Sequence, residues 1–136
     1  MRFMILVKAT RDSEAGVMPT EELLSAMAGY HEQLTKAGVL LDGNGLQPSA
    51  KGWRIKWTGG KKTIVDGPFA ETKELVAGYT IIEVKSREEA LEWTRRFPNP
   101  SFGDGEIEIR QMFELEDFGE SATLDRFREM EMGVKK

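Results

Sequence analysis

The chain opens on an alternation. Phe3, Ile5 and Val7 fall on one face of an extended segment and Met4 and Leu6 on the other, so residues 3–7 predict a strand that is apolar on both faces. Such a strand needs cover on both sides and belongs in the middle of its sheet. After a polar loop the period changes. Leu23, Met27, Tyr30, Leu34 and Ala37 recur at helical spacing. Thr20 is placed to cap the start of that helix, and Glu21 and Glu22 put negative charge where the helix dipole favours it. Gly38 can end the helix in the left-handed conformation. Val39-Leu40-Leu41 then predicts a second strand, running into a flexible Asp42-Gly43-Asn44-Gly45-Leu46.

Trp53, Ile55 and Trp57 alternate with Arg54 and Lys56, Gly59-Gly60 marks a turn, and Lys62-Thr63-Ile64-Val65 returns, which predicts a β-hairpin. A further strand runs from Val76 to Lys85 with Tyr79, Ile81, Ile82 and Val84. Ser86-Arg87-Glu88-Glu89 has the form of a capping box, in which the serine hydroxyl and the glutamate carboxylate each take up an orphan amide. Ala90, Trp93, Thr94 and Phe97 line one face of the helix that follows, and Pro98-Asn99-Pro100 stops it. Ile107, Ile109, Phe113 and Leu115 then alternate with Glu106, Glu108, Arg110 and Glu114, a half-buried last strand.

Two strand-helix-strand units with a hairpin inserted between them predict an α+β fold, a ferredoxin-like sandwich with four strands in one sheet and both helices on one face. The other face has no cover of its own, and a second copy packed sheet to sheet across a two-fold axis would supply it. A homodimer is therefore expected. The domain spans residues 1–118. Residues 119–136 form a C-terminal tail with a weak helical pattern in Leu124, Phe127 and Met130.

Composition narrows the setting. The 136 residues suit one domain, and 40% hydrophobic with 31% charged residues is a globular balance that excludes disorder over the whole length. A net charge of −4 argues against nucleic-acid binding, and the basic patch from Lys51 to Lys62, interleaved with Trp53 and Trp57, reads as one solvated face of the hairpin. The absence of cysteine removes thiol nucleophiles, disulfides and thiolate metal sites and points to a reducing compartment. The apolar start is interrupted at Lys8 with no cleavage pattern after it, and no run approaches a membrane span. A cytoplasmic protein without membrane contact is expected.

Chemistry concentrates in Asp66-Gly67-Pro68-Phe69-Ala70-Glu71-Thr72-Lys73-Glu74-Leu75, a turn with three carboxylates and a lysine in ten residues. Asp66 is either the cap of that turn or a general base held by it. Glu71, Lys73 and Glu74 are either a solvated loop face or the rim of a cleft. His31, the single histidine, stands on the flank of its helix beside Leu24, where it is either a partly exposed helix residue or an acid/base group. Glu108 and Arg110 share one face of the last strand, and Lys8 ends the first; if buried, either cation needs a partner or an anionic ligand. A lone histidine excludes the common two-histidine metal sites and leaves an all-oxygen set of Asp66, Glu71 and Glu74, so no metal is expected.

The run Asp66 to Glu74 resembles the signature of the DGPF-type, YCII-related proteins, and Met1 to Lys8, Lys36 to Leu41 and Glu108 to Arg110 are similar to them as well. The resemblance covers roughly residues 1–118. It implies a dimeric α/β barrel made by two ferredoxin-like sheets packed face to face. It also implies a small enzyme or ligand binder, in some members with a histidine and an aspartate for proton transfer. The place of that histidine falls on Met27 here, so that pair is not reproduced. Relatives are further associated with extracytoplasmic-function sigma factors, which implies a regulatory setting.

The resulting reading is a small-molecule-binding homodimer with a cleft beside residues 66–74. As an enzyme it would carry out cofactor-free proton transfer of isomerase, lyase or dehydrochlorinase type on a small anionic substrate. Asp66 or His31 would move the proton, Arg110 or Lys8 would hold a carboxylate or enolate, and Phe69, Glu71, Lys73 and Glu74 would complete the binding surface. The alternative is a non-catalytic regulatory module associated with a sigma factor.

Overall fold

The computed structural model describes the backbone of residues 1–134 and the side chains of residues 1–131. Strand β1 (Arg2–Lys8) leads through a one-turn helix α1 (Arg11–Glu14) to α2 (Glu21–Lys36) and β2 (Leu40–Gly45). A short 3-10 turn at Ser49–Lys51 precedes the ribbon of β3 (Trp53–Thr58) and β4 (Lys61–Asp66). A second such turn at Thr72–Glu74 leads to β5 (Val76–Glu83), α3 (Arg87–Arg95), β6 (Ile107–Gln111), a 3-10 turn at Leu115–Phe118 and α4 (Ala122–Val134). The last two residues of the expected tail, 135–136, lie outside the described residues.

The main sheet is antiparallel in the order β2-β5-β1-β6, the ferredoxin-like arrangement, with the β3-β4 ribbon as a separate two-stranded sheet inserted between β2 and β5. β1 is internal, as its two apolar faces require. One face of the main sheet carries the core: Phe3, Ile5 and Ile82 pack with Tyr30 and Leu34 of α2, Val39, Val84 and Ala90 of α3. On the opposite face Met4 stands across from Arg110 and Ile81, and Leu6 across from Glu108 and Tyr79, because directly paired residues of antiparallel strands project to one side.

Local rules explain the ends of the elements. Thr20 accepts the Leu23 amide at 3.2 Å. Gly38, at φ 75°, closes α2 with its own amide on the Thr35 carbonyl and the Val39 amide on the Leu34 carbonyl, both at 3.0 Å, the Schellman pairing. Gly59 and Gly60, at φ 57° and 77°, give the two left-handed residues that a tight hairpin turn needs. At the start of α3 the Ser86 hydroxyl accepts the Glu89 amide, whereas the Glu89 carboxylate takes the amide of Lys85, one residue earlier than a standard capping box.

Three segments depart from the pattern-based reading. The polar loop after β1 contains α1, held by a reciprocal cap in which Thr10 accepts from the Ser13 amide and Ser13 from the Thr10 amide. One turn is too short to register as periodicity. The glycine-rich run after Leu41 is strand, since Asp42, Gly43, Asn44 and Gly45 pair with Ile81, Thr80, Tyr79 and Gly78; pairing with a buried neighbour overrides low strand propensity. The last strand stops at Gln111, opposite Phe3, one residue from the start of β1, with the Met112 amide making a final bond to the Arg2 carbonyl at 2.8 Å. Beyond it, Arg2 donates from Nε to Glu114 at 3.0 Å and from Nη2 to the Phe113 carbonyl at 3.1 Å, leaving Phe113 exposed.

The Tyr30 hydroxyl, at the centre of the core, donates to the Trp93 carbonyl at 2.7 Å and ties α2 to α3. Tyr30→Phe removes this tie and leaves the carbonyl only the Arg96 amide, and unfolding in urea is expected to show a loss of about 1 kcal/mol. Burial pushes the Tyr30 phenol up to about 12. Its folded value thus lies above its ordinary 10.0. The stability it contributes is complete below pH about 10 and is lost as pH rises through about 12. Wild-type thermal stability should fall across that window more steeply than that of Tyr30→Phe.

Candidate functional site

A cavity of 520 Å³ opens on the helix side of the main sheet, at the end where β1 and β2 finish and β5 begins. Its wall on α2 is Leu23, Leu24, Met27 and Ala28, and His31 one turn further on. Val7 of β1, Val17 and Pro19 close one side, and Phe97, Pro100 and Phe102 from the loop after α3 close another. Thr10, Asp12 and Ser13 bring the α1 cap to its rim, and Gly43 of β2 and Thr80 of β5 lie at the sheet.

His31 meets the sheet here. Its Nδ1 is 2.8 Å from the Met27 carbonyl oxygen, which can only accept, so Nδ1 carries a hydrogen. In the neutral ring Nε2 is then the acceptor, and it takes the hydroxyl of Thr80 at 2.9 Å. Thr80 is a polar side chain buried on the core face of β5, held by this bond. Gly43 makes the approach possible: a Cβ there would touch His31 Nε2 at 3.4 Å and Thr80 Oγ1 at 3.5 Å, and any larger side chain would push between them. The imidazole therefore enters the cavity one helical turn after Met27, where the resemblance had located a histidine in relatives.

Residues 66–74 occupy a different place. Gly67 lies against the 3-10 turn at Ser49–Lys51, with its amide on the Gly52 carbonyl at 3.0 Å. The Phe69 amide donates to Ser49 Oγ at 3.0 Å, and the Phe69 ring sits half-buried beneath the Arg54 guanidinium, 3.7 Å away. Ser49 in turn donates its amide, at 2.8 Å, and its hydroxyl to the Glu14 carboxylate at the end of α1. The segment thus braces the ribbon against the helix whose first turn forms the cavity rim. Asp66, Glu71, Lys73 and Glu74 are exposed and do not line the cavity, nor does Phe69.

Lys8 and Arg110 lie together but elsewhere. Both reach Glu108 on the open face of the sheet, at 3.9 Å and 3.3 Å. Among the described residues no three potential metal-ligating side chains converge. Of the candidates read from the sequence, His31 alone lines the cavity. Thr80, Asp12 and the aromatic pair Phe97 and Phe102 were not among them. A threonine at an inward position of an apolar strand was a usable signal for Thr80; the others come together only through the fold.

The fold and cavity define a small ferredoxin-like α+β protein with a pocket of organic-ligand size beside a helix histidine. The chain belongs to the YCII-related domain family, whose match spans residues 1–116. It is similar to an uncharacterized protein of Rhizobium meliloti (strain 1021), with 29% identity over 92 residues, 68% of this chain and 74% of that protein. Among solved structures it is similar to the 5-chloro-2-hydroxyhydroquinone dehydrochlorinase of Burkholderia phenoliruptrix AC1100 in complex with 2,5-dihydroxybenzoquinone. That likeness has 15% identity and a TM-score of 0.43, and covers 83% of this chain and 94% of the other. Among the described residues no helix is long and apolar enough to cross a membrane.

Proposed function

We propose that this protein binds a small organic molecule in the cavity between α2 and the sheet, and that His31 with Thr80 handles a proton of that molecule. The observation that carries the reading is the His31 Nε2 to Thr80 hydroxyl bond at 2.9 Å inside a largely apolar cavity. A ligand hydroxyl donating to Thr80 Oγ1 would complete a relay ending on an imidazole nitrogen, a layout suited to cofactor-free isomerase, lyase or dehydrochlorinase chemistry. Among the expected proton-handling groups His31 is favoured over Asp66, which stands outside the cavity on the ribbon. The expected anionic substrate loses support, since its cationic holders Lys8 and Arg110 pair with Glu108 on the open face.

A homodimer formed across that open face is part of the same proposal, supported by the half-buried Met4, Leu6, Tyr79 and Ile81. A second reading, a regulatory module of the kind associated with extracytoplasmic-function sigma factors, draws support from the ribbon. One ribbon face presents Trp53, Ile55, Trp57 and Ile64, with Trp53 and Trp57 at 65% and 71% exposure.

The test is a thermal-shift screen of phenols, enols, lactones and carboxylates on wild type and on His31→Gln. A ligand held by the relay raises the wild-type melting temperature, and its affinity falls about tenfold in the variant, the upper worth of one neutral hydrogen bond. No stabilising compound in the screen would count for the regulatory reading.

A further inference from the structure

The cavity is lined unevenly by charged groups. Among the described residues that line it there is no lysine and no arginine; the ionisable side chains on its side of the sheet are Asp12 and His31, the Tyr79 side chain standing on the open face across from Leu6. In its neutral form His31 offers an incoming anion no free donor, because the Nδ1 hydrogen is committed to the Met27 carbonyl and Nε2 accepts the Thr80 hydroxyl. The Tyr79 hydroxyl donates to Asp42 at 2.9 Å. Asp12 sits in the first turn of α1 at the rim, exposed, so a carboxylate entering the cavity must pass a fixed negative charge and then lose its water among Val7, Leu23, Met27 and Phe97. No lysine or arginine lines the cavity to offset that desolvation.

An ammonium group fares no better inside. Asp12 would hold it only at the rim, away from the His31–Thr80 pair. The polar group the interior is built to receive is a hydroxyl, since Thr80 spends its one hydrogen on His31 and keeps lone pairs to accept another.

Resting on the small-molecule reading above, we infer that the ligand of this cavity is an uncharged, mostly apolar molecule that presents a single hydroxyl to Thr80, and that the site discriminates against carboxylates and amines of the same shape.

Three probes of one framework test this by calorimetry on the full chain at neutral pH: 2-naphthol, 2-naphthoate and 2-naphthylmethylammonium. 2-Naphthol is expected to bind at least about tenfold more tightly than either ion, the charged forms having to be dehydrated without a partner. Thr80→Val keeps the shape and removes the acceptor, and should weaken 2-naphthol about tenfold. Asp12→Asn, at an exposed position, should improve 2-naphthoate about fivefold by removing the rim charge. A carboxylate or an amine that binds best overturns the inference while leaving small-molecule binding intact. Undiminished 2-naphthol binding by Thr80→Val, or an unmoved 2-naphthoate affinity in Asp12→Asn, overturns it too. Binding by none of the three overturns it together with the reading it rests on.

Discussion

Gly67→Ala is expected to lower the stability of the protein by about 3 kcal/mol, the upper part of the usual range for forcing atoms into filled space. A Cβ on Gly67 would stand 1.8 Å from the Ser49 carbonyl oxygen and 2.7 Å from its carbonyl carbon. Neither atom belongs to a side chain that could swing aside. The backbone they belong to is pinned in turn, with the Ser49 amide and hydroxyl on Glu14 and the Phe69 amide on the Ser49 hydroxyl. Room for one methyl group would mean parting the ribbon from α1. Gly103→Ala is the matched control, since a Cβ there meets nothing within 4 Å. Urea unfolding at a single protein concentration distinguishes them: the control should unfold with wild type, and a Gly67→Ala midpoint that also stays put would mean that this contact yields freely.

Leu34→Ala is expected to cost about 3 kcal/mol through the lost transfer of its side chain and the cavity left behind. Leu34 is 0% exposed and packs where α2 lies on Phe3, Ile5 and Ile82. Strands on one side and helix on the other leave little that can collapse into the gap. Met18→Ala, at 77% exposure in the loop before α2, should change stability by less than about 0.5 kcal/mol. Equal effects at the two positions would contradict the packing described for the core.

What could be read from the sequence follows the range of the forces involved. Thr20, Gly38 and Gly59-Gly60 act on neighbours within a few residues, and the helix cap, the helix stop and the hairpin turn they indicate are all present. The stripe Leu23 to Leu34 likewise predicted which face of α2 turns inward. Residues 42–45 were harder, because two glycines, an aspartate and an asparagine become strand only by pairing with β5, whose place beside β2 is set by the whole fold. Phe113 and Leu115 continued the alternation of β6, but alternation cannot say where the neighbouring strand ends.

The candidate site was legible in one residue. His31 stood out as the single histidine, yet its flank position left its role open, and the proposed role rests on its bond to Thr80, 49 residues away. The cavity gathers residues from β1, α1, α2, β2, β5 and the loop after α3, so no local motif marks it. The dense run from Asp66 to Glu74 did draw attention, and its glycine and phenylalanine have physical work as a brace. Charge density along a chain, however, does not tell whether carboxylates converge on a cavity or face water, and here Asp66, Glu71 and Glu74 are exposed.

The brace formed by Glu14, Ser49 and Phe69 joins residues 35 and 20 positions apart. Each link closes a long excursion of chain, and closing such loops costs entropy that only the finished contact returns. The ribbon beyond it pairs with itself, in a sheet separate from the main one. Residues 47–74 lie between the Leu46 amide on the Ala77 carbonyl and the Leu75 carbonyl on the Ala9 amide. They are therefore expected to open while the four-stranded sheet stays closed, and amide hydrogens of the ribbon should exchange through such partial openings, well before those of β1 and β5.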